Sequence, residues 1–153
     1  MAWITLTTAQ SKTYKEVEMA NALYDKGREG FLDGSIDWDT DNIKVILVDA
    51  QDYTVDLANH DALDDIPAGA RVATSGNLAS KTVTAGVADA ADVTFTAVTG
   101  DQSEALVIYK DTGVESTSRL IAYIDTATGL PVTPNGGDIT VQWDDGANKI
   151  FKL

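Results

Sequence analysis

The 153-residue chain contains no cysteine, which removes disulfides and thiolate metal ligands together. A single histidine leaves no pair of imidazoles for a zinc site, and it must act alone in any acid–base scheme. Basic side chains are scarce, with 11 Lys and Arg against 24 Asp and Glu and a net charge of -13. A surface of that sign repels phosphate backbones and anionic lipid, so neither nucleic acid nor membrane is an expected partner. No apolar run approaches the roughly 18 residues of a spanning helix. Residues Met1 to Thr8 lack the basic start and long apolar core of a secretory leader, so the expectation is a soluble product made in the cytoplasm.

Four of the eleven basic groups, Lys12, Lys15, Lys26 and Arg28, fall in the first thirty residues. That asymmetry sets the beginning of the chain apart and suggests that it contacts a different surface from the rest. Trp3-Ile4-Thr5-Leu6 is a short β-prone piece with large apolar side chains. It reads either as an edge strand or plug over the core, or as an arm that docks on a neighbouring subunit. The expected organisation is an arm over residues 1–12 followed by one β-rich domain over 13–153.

From Thr13 to Leu32 the apolar period is helical: Ala20, Leu23, Tyr24, Gly27 and Phe31 share one face. Asp33-Gly34 supplies the stop. Gly27 and Gly30 each cost a helix up to about 1 kcal/mol relative to Ala, so packing must hold it. Ile43 to Val48 is then almost continuously apolar, the pattern of a central strand buried on both faces. Gln51 to Ala68 is a polar loop, long enough to contain a short helix or a function.

Beyond it come short β-branched and aromatic runs separated by turn residues: Arg71–Thr74, Lys81–Thr84, Val93–Val98, Ala105–Tyr109, Leu120–Ile124, Ile139–Trp143 and Ile150–Leu153. Two hairpins are expected, one around Gly86-Val87-Ala88-Asp89 and one turning at Asp144-Asp145-Gly146. Strands of this length and spacing predict a mainly β fold, an antiparallel, jelly-roll-like β-sandwich with one N-terminal helix.

The motifs that could carry chemistry fall short of it. Asp37, Asp39 and Asp41 have the alternation that opens a calcium loop, but Asn42 stands where its glycine belongs and Val48 where its glutamate belongs. They read as a solvated turn, with a weak cation site of another kind as the sharper alternative. His60 with Asp61, Asp64 and Asp65 has the composition of an ordinary polar loop. Asn135-Gly136-Gly137-Asp138 lacks both a following basic residue and a following helix, so it reads as a turn and not as a phosphate cradle. No Gly-x-Ser-x-Gly elbow occurs, and a carboxylate-pair hydrolase would need acids that only the fold could bring together. Trp3, Trp38, Trp143, Tyr14, Tyr24, Tyr53, Tyr109 and Tyr123 read as core packing. The reading is a chain with no enzymatic activity, no cofactor and no metal.

Across Tyr24–Asp49, Leu63–Thr84, Ala91–Gly100, Ala105–Gly113 and Ser118–Leu153 the chain resembles a family of small structural proteins of tailed-bacteriophage virions. The likeness covers residues from about 23 to 153. It implies a capsid decoration, or cement, protein on the outer surface of the virion. Such a protein binds the major capsid protein across capsomer boundaries as a homo-oligomer, and a trimer is expected. The alternative it implies is a neck, tail or fibre-attachment component. Under this reading the expected partner-binding residues are Trp3, Ile4, Leu6, Lys12 and Lys15, with the polar loop Asp52–Asp65 beside them.

Overall fold

The structure is a computed structural model and describes residues 21–153. Its elements in order are β1 (Ala22–Leu23), α1 (Asp25–Asp33), β2 (Ile43–Val48), β3 (Arg71–Thr74), β4 (Thr82–Thr84), β5 (Val87–Asp89), β6 (Val93–Phe95), β7 (Ala105–Lys110), β8 (Leu120–Ile124), β9 (Ile139–Val141) and β10 (Phe151–Lys152). Short 3-10 turns at Leu63–Asp65, Ala68–Ala70 and Glu115–Thr117 interrupt the loops. The mainly β class, the antiparallel pairing and, among the described residues, the single α-helix are as the sequence predicts.

Everything is built on β2 and β7, which pair along their whole length from Ile43 opposite Lys110 to Val48 opposite Ala105. With β8, β1 and β3 they form one sheet in the order β1-β8-β7-β2-β3. The two-residue period of a strand sends Val45, Leu47, Leu106 and Ile108 to one face. Ile46, Val48, Val107 and Tyr109 go to the other. Both faces are covered, which is why the apolar run in β2 has no polar interruption after Lys44. Each such side chain removed from water contributes about 1.5–3 kcal/mol.

The first face is roofed by two smaller sheets, β10-β5-β4 and β6-β9, together with Ile36, Trp38 and Leu78. The second is covered by the loop after β2, through Tyr53, Leu63, Ile66 and Ala70. That loop contains the short helical turns its length suggests.

The predicted helix from Thr13 to Leu32 is shorter over the described residues, because Ala22 and Leu23 pair with Tyr123 and Ala122 as an edge strand. Asn21 stands at φ 72° and its side chain holds the β8 exit, accepting from the Asp125 and Thr126 N–H groups and donating to Thr126 O at 2.8 Å. Backbone pairing to an existing sheet outweighs helical periodicity at this point. The helix then ends at the expected stop, with Gly34 at φ 76°. Gly27 has a packing reason to be glycine, since a Cβ there would lie 2.8 Å from Leu120 O and 2.9 Å from Ile121 Cα.

Both expected hairpins are corrected. Val87–Asp89 is itself a strand, paired with β4 across a two-residue turn at Ala85 and Gly86, whose φ values are 53° and 78°. Such a turn twists in the sense that flanking strands require. Asp144-Asp145-Gly146 does not join two paired strands, because β9 pairs with β6 and β10 pairs with β5.

Candidate functional site

The carboxylates at 37, 39 and 41 are absorbed by their own turn. Asp37 Oδ1 accepts the N–H groups of Asp39 at 3.1 Å and Thr40 at 3.3 Å. Asp41 Oδ2 accepts the Asp37 N–H at 2.8 Å and pairs with Lys110 Nζ at 2.9 Å. Lys110 also donates to Ser35 O, so the turn is riveted to β7. Beside it Lys44 pairs with Asp111 at 2.5 Å, and that hydrogen bond holds the Asp111 carboxyl below the usual carboxylate range. Among the described residues no three His, Asp or Glu side chains are grouped so as to hold a metal.

His60 ends a chain of hydroxyls that reaches back to Tyr24, a link the sequence does not reveal. Its Nδ1 lies 2.8 Å from the Tyr53 hydroxyl, which lies 3.0 Å from the hydroxyl of Tyr24. The Asp56 N–H reaches the same nitrogen at 3.2 Å and can only donate, so Nδ1 is the acceptor. Tyr53 then donates to His60, and Tyr24 to Tyr53. Burial pushes the Tyr24 phenol far up and the Tyr53 phenol up to about 12, so both stay neutral donors at ordinary pH. The chain of hydroxyls fastens the polar loop over the second core face. Asp56 and Asp65 accept loop N–H groups, and Arg71 donates to Leu63 O and Ile66 O while meeting Glu115 with two bonds. The arrangement positions a loop.

The glycine-rich segment near 136 is likewise a turn, with Gly136 at φ 85° and Asn135 Oδ1 accepting the Gly137 N–H at 3.0 Å. Trp38, Tyr24, Tyr53, Tyr109 and Tyr123 are buried in the core, as their pattern suggests. Trp143 is half-buried, its ring N–H donating to Ala91 O at 3.2 Å.

What the described surface does offer is apolar. A groove of about 280 Å³ is floored by Phe31, Ile36, Trp38 and Phe151. Phe151 lies edge-on to Trp38 at 5.2 Å and tilted against Phe31 at 5.7 Å, and Trp38 Nε1 donates to Asp89 O, so the floor is rigid. On its rim stand Val83 and Leu153, 53% and 58% exposed, and Leu32, next to Phe31 in the chain, is 89% exposed. A second groove, about 480 Å³, lies on the same layer between β9 and the segment after β8, over Leu47 and Leu106.

The sequence reading did not single out these rims. One signal was available in Leu32, an apolar residue off the apolar face of its helix; Val83 and Leu153 become neighbours only through strand pairing. Trp3, Ile4, Leu6, Lys12 and Lys15, the expected partner-binding residues, lie outside the described residues. Compared with protein-family models and with curated proteins, the chain finds no match in either.

Proposed function

We propose that the chain is a binding module of a bacteriophage virion: a capsid decoration protein that docks on the outer surface of the major capsid lattice and stabilises the head. The observation that carries the reading is the exposed apolar rim of Val83 and Leu153 around an aromatic floor, with Leu32 exposed on the helix that supplies Phe31 to that floor. Large apolar side chains clustered at a groove and surrounded by polar surface mark a protein-docking site. The acids that might have formed a reactive cluster are occupied by turns and ion pairs. The resemblance over residues 23 to 153 supplies the virion context, and the charge of -13 suits a protein partner better than DNA.

A decoration protein works by mass action. It binds only the assembled lattice, and each bound copy adds interface that ties neighbouring subunits together. Copy number per purified virion tests this directly: hundreds are expected, and a dozen or fewer would move the protein to the neck or tail. The docking face is tested by Leu32→Asp with Val83→Asp. Both side chains are exposed, so stability should change by about 0.5 kcal/mol or less per site. Occupancy on capsids should fall at least tenfold; unchanged occupancy would refute this face as the contact.

A further inference from the structure

We infer that β4 is a self-pairing edge: two copies of the chain join β4 to β4 antiparallel about a two-fold axis, with Val83 opposite Val83. The hairpin turn fixes which backbone groups are free for this. Ala85 and Gly86, both at positive φ, make a two-residue turn, which closes on a hydrogen-bonded pair, here Thr84 with Val87. Hydrogen-bonded and non-bonded pairs alternate along an antiparallel ladder, so Val83 and Ala88 form a non-bonded pair. Ala88 accordingly turns its carbonyl outward, to the Ile150 N–H at 3.2 Å. Val83 turns its own N–H and C=O to the opposite edge, where β4 has no strand neighbour among the described residues.

That edge suits a second copy of itself. Thr82-Val83-Thr84 reads the same in both directions, so pairing about Val83 sets threonine opposite threonine twice and lets the two valines exchange both backbone hydrogen bonds. Register puts Phe151, Ala88 and Val83 in one row across β10, β5 and β4, and all three line the first groove. The row ends on Val83, which is exposed; the second copy's valine continues the row and covers it. Charge selects the same place. Copies at -13 repel one another, but no acid stands between Asp65 and Asp89, the longest acid-free run in the chain. The acid among the groove's lining residues, Asp37, is engaged by the Asp39 and Thr40 N–H groups. A two-fold axis between antiparallel strands runs perpendicular to the sheet, so both grooves lie under the same face of the joined sheet. A pair thus offers two docking rims at once. That consequence rests on the proposed function; the pairing itself does not. The contact is two-fold and so differs from the trimer that the resemblance implies.

The test uses the full-length protein in solution, without capsids, so its outcome is separate from that of the docking reading. A three-residue strand makes a small contact and a weak dimer. Sedimentation between about 10 μM and about 1 mM should show a monomer–dimer equilibrium. Thr82→Lys with Thr84→Lys sets like charges opposite each other twice, on the strand face turned away from the groove, and should weaken association at least about tenfold. Thr82→Lys with Thr84→Glu sets opposite charges there and should restore it. Both positions are exposed, so the fold is kept in each variant. Because the chain has no cysteine, register can be read by oxidation. Thr82→Cys mixed with Thr84→Cys should cross-link, the opposed Cα atoms of such a pair lying about 4.5 Å apart. Either variant alone should cross-link far less, since identical positions lie beyond the roughly 7 Å limit for a disulfide. A monomer at the highest concentration, a trimer, a dimer indifferent to the two lysines or not restored by the glutamate, or equal cross-linking in all three samples would overturn the inference.

Discussion

Replacing Gly27 by alanine sets two effects against each other, and the structure decides which wins. In a free helix the change stabilises by up to about 1 kcal/mol, because alanine loses less backbone entropy. Here the new Cβ would lie 2.8 Å from Leu120 O and 2.9 Å from both Ile121 Cα and Ile121 O. All three are backbone atoms of β8, a strand paired on both sides, so they cannot swing away as a side-chain tip could. Overpacking against a fixed neighbour costs about 1–3 kcal/mol. The helix must therefore lift from the sheet, and the net expectation is a loss of about 1–2 kcal/mol, a fall in Tm of about 3–8 °C. Gly69→Ala is the control, since nothing lies within 4 Å of its Cβ position. It should be neutral or stabilising by up to about 1 kcal/mol. Urea titration of the two variants beside the parent measures the difference. A Gly27→Ala variant as stable as the parent would refute the claim that glycine is required for this close approach.

Tyr53→Phe should cost about 1–3 kcal/mol, because it leaves the buried Tyr24 hydroxyl without its partner and His60 without a donor. In a double-mutant cycle with Tyr24→Phe the two costs should fall short of additivity by at least 0.5 kcal/mol; simple additivity would mean that the hydroxyls act independently. Asp111→Asn should cost about 1 kcal/mol at pH 7, since the pair with Lys44 is only partly exposed. The folded Asp111 is held below its ordinary value, so its contribution is present above the unfolded carboxyl's value of about 4 and is lost as pH falls through the lower folded value. Denaturation of parent and variant from pH 7 to pH 2 should show the gap closing at the acid end; a gap that widened there would reverse the sign of the argument.

The central strands were legible because each carries its own evidence. Ile43–Val48 and Leu120–Ile124 match their predicted bounds, and Ala105–Lys110 runs one residue past them. A continuous β-branched run can be buried only as an interior strand, whatever its neighbours are. The C-terminal stop of α1 at Gly34 was legible for the same local reason. The candidate chemistry was also readable as turns, since Asp37, Asp41 and Asn135 bond to backbone within a few residues of themselves.

Partnership among the short strands was not. β6 finds β9 and β5 finds β10 across long intervening stretches, and two or three residues carry too little pattern to name a partner or a register. The same holds for Tyr24 under Tyr53, for Gly27 against β8, and for Val83 beside Leu153: each depends on atoms brought together from distant parts of the chain. Composition and periodicity determined that this chain is an acidic, antiparallel β protein with a helix ahead of its central strands, because burial of a patterned strand is a local property. Which apolar groups remained on the surface, and the grooves they line, was decided only by tertiary packing, because exposure is what is left after every other surface has found its partner.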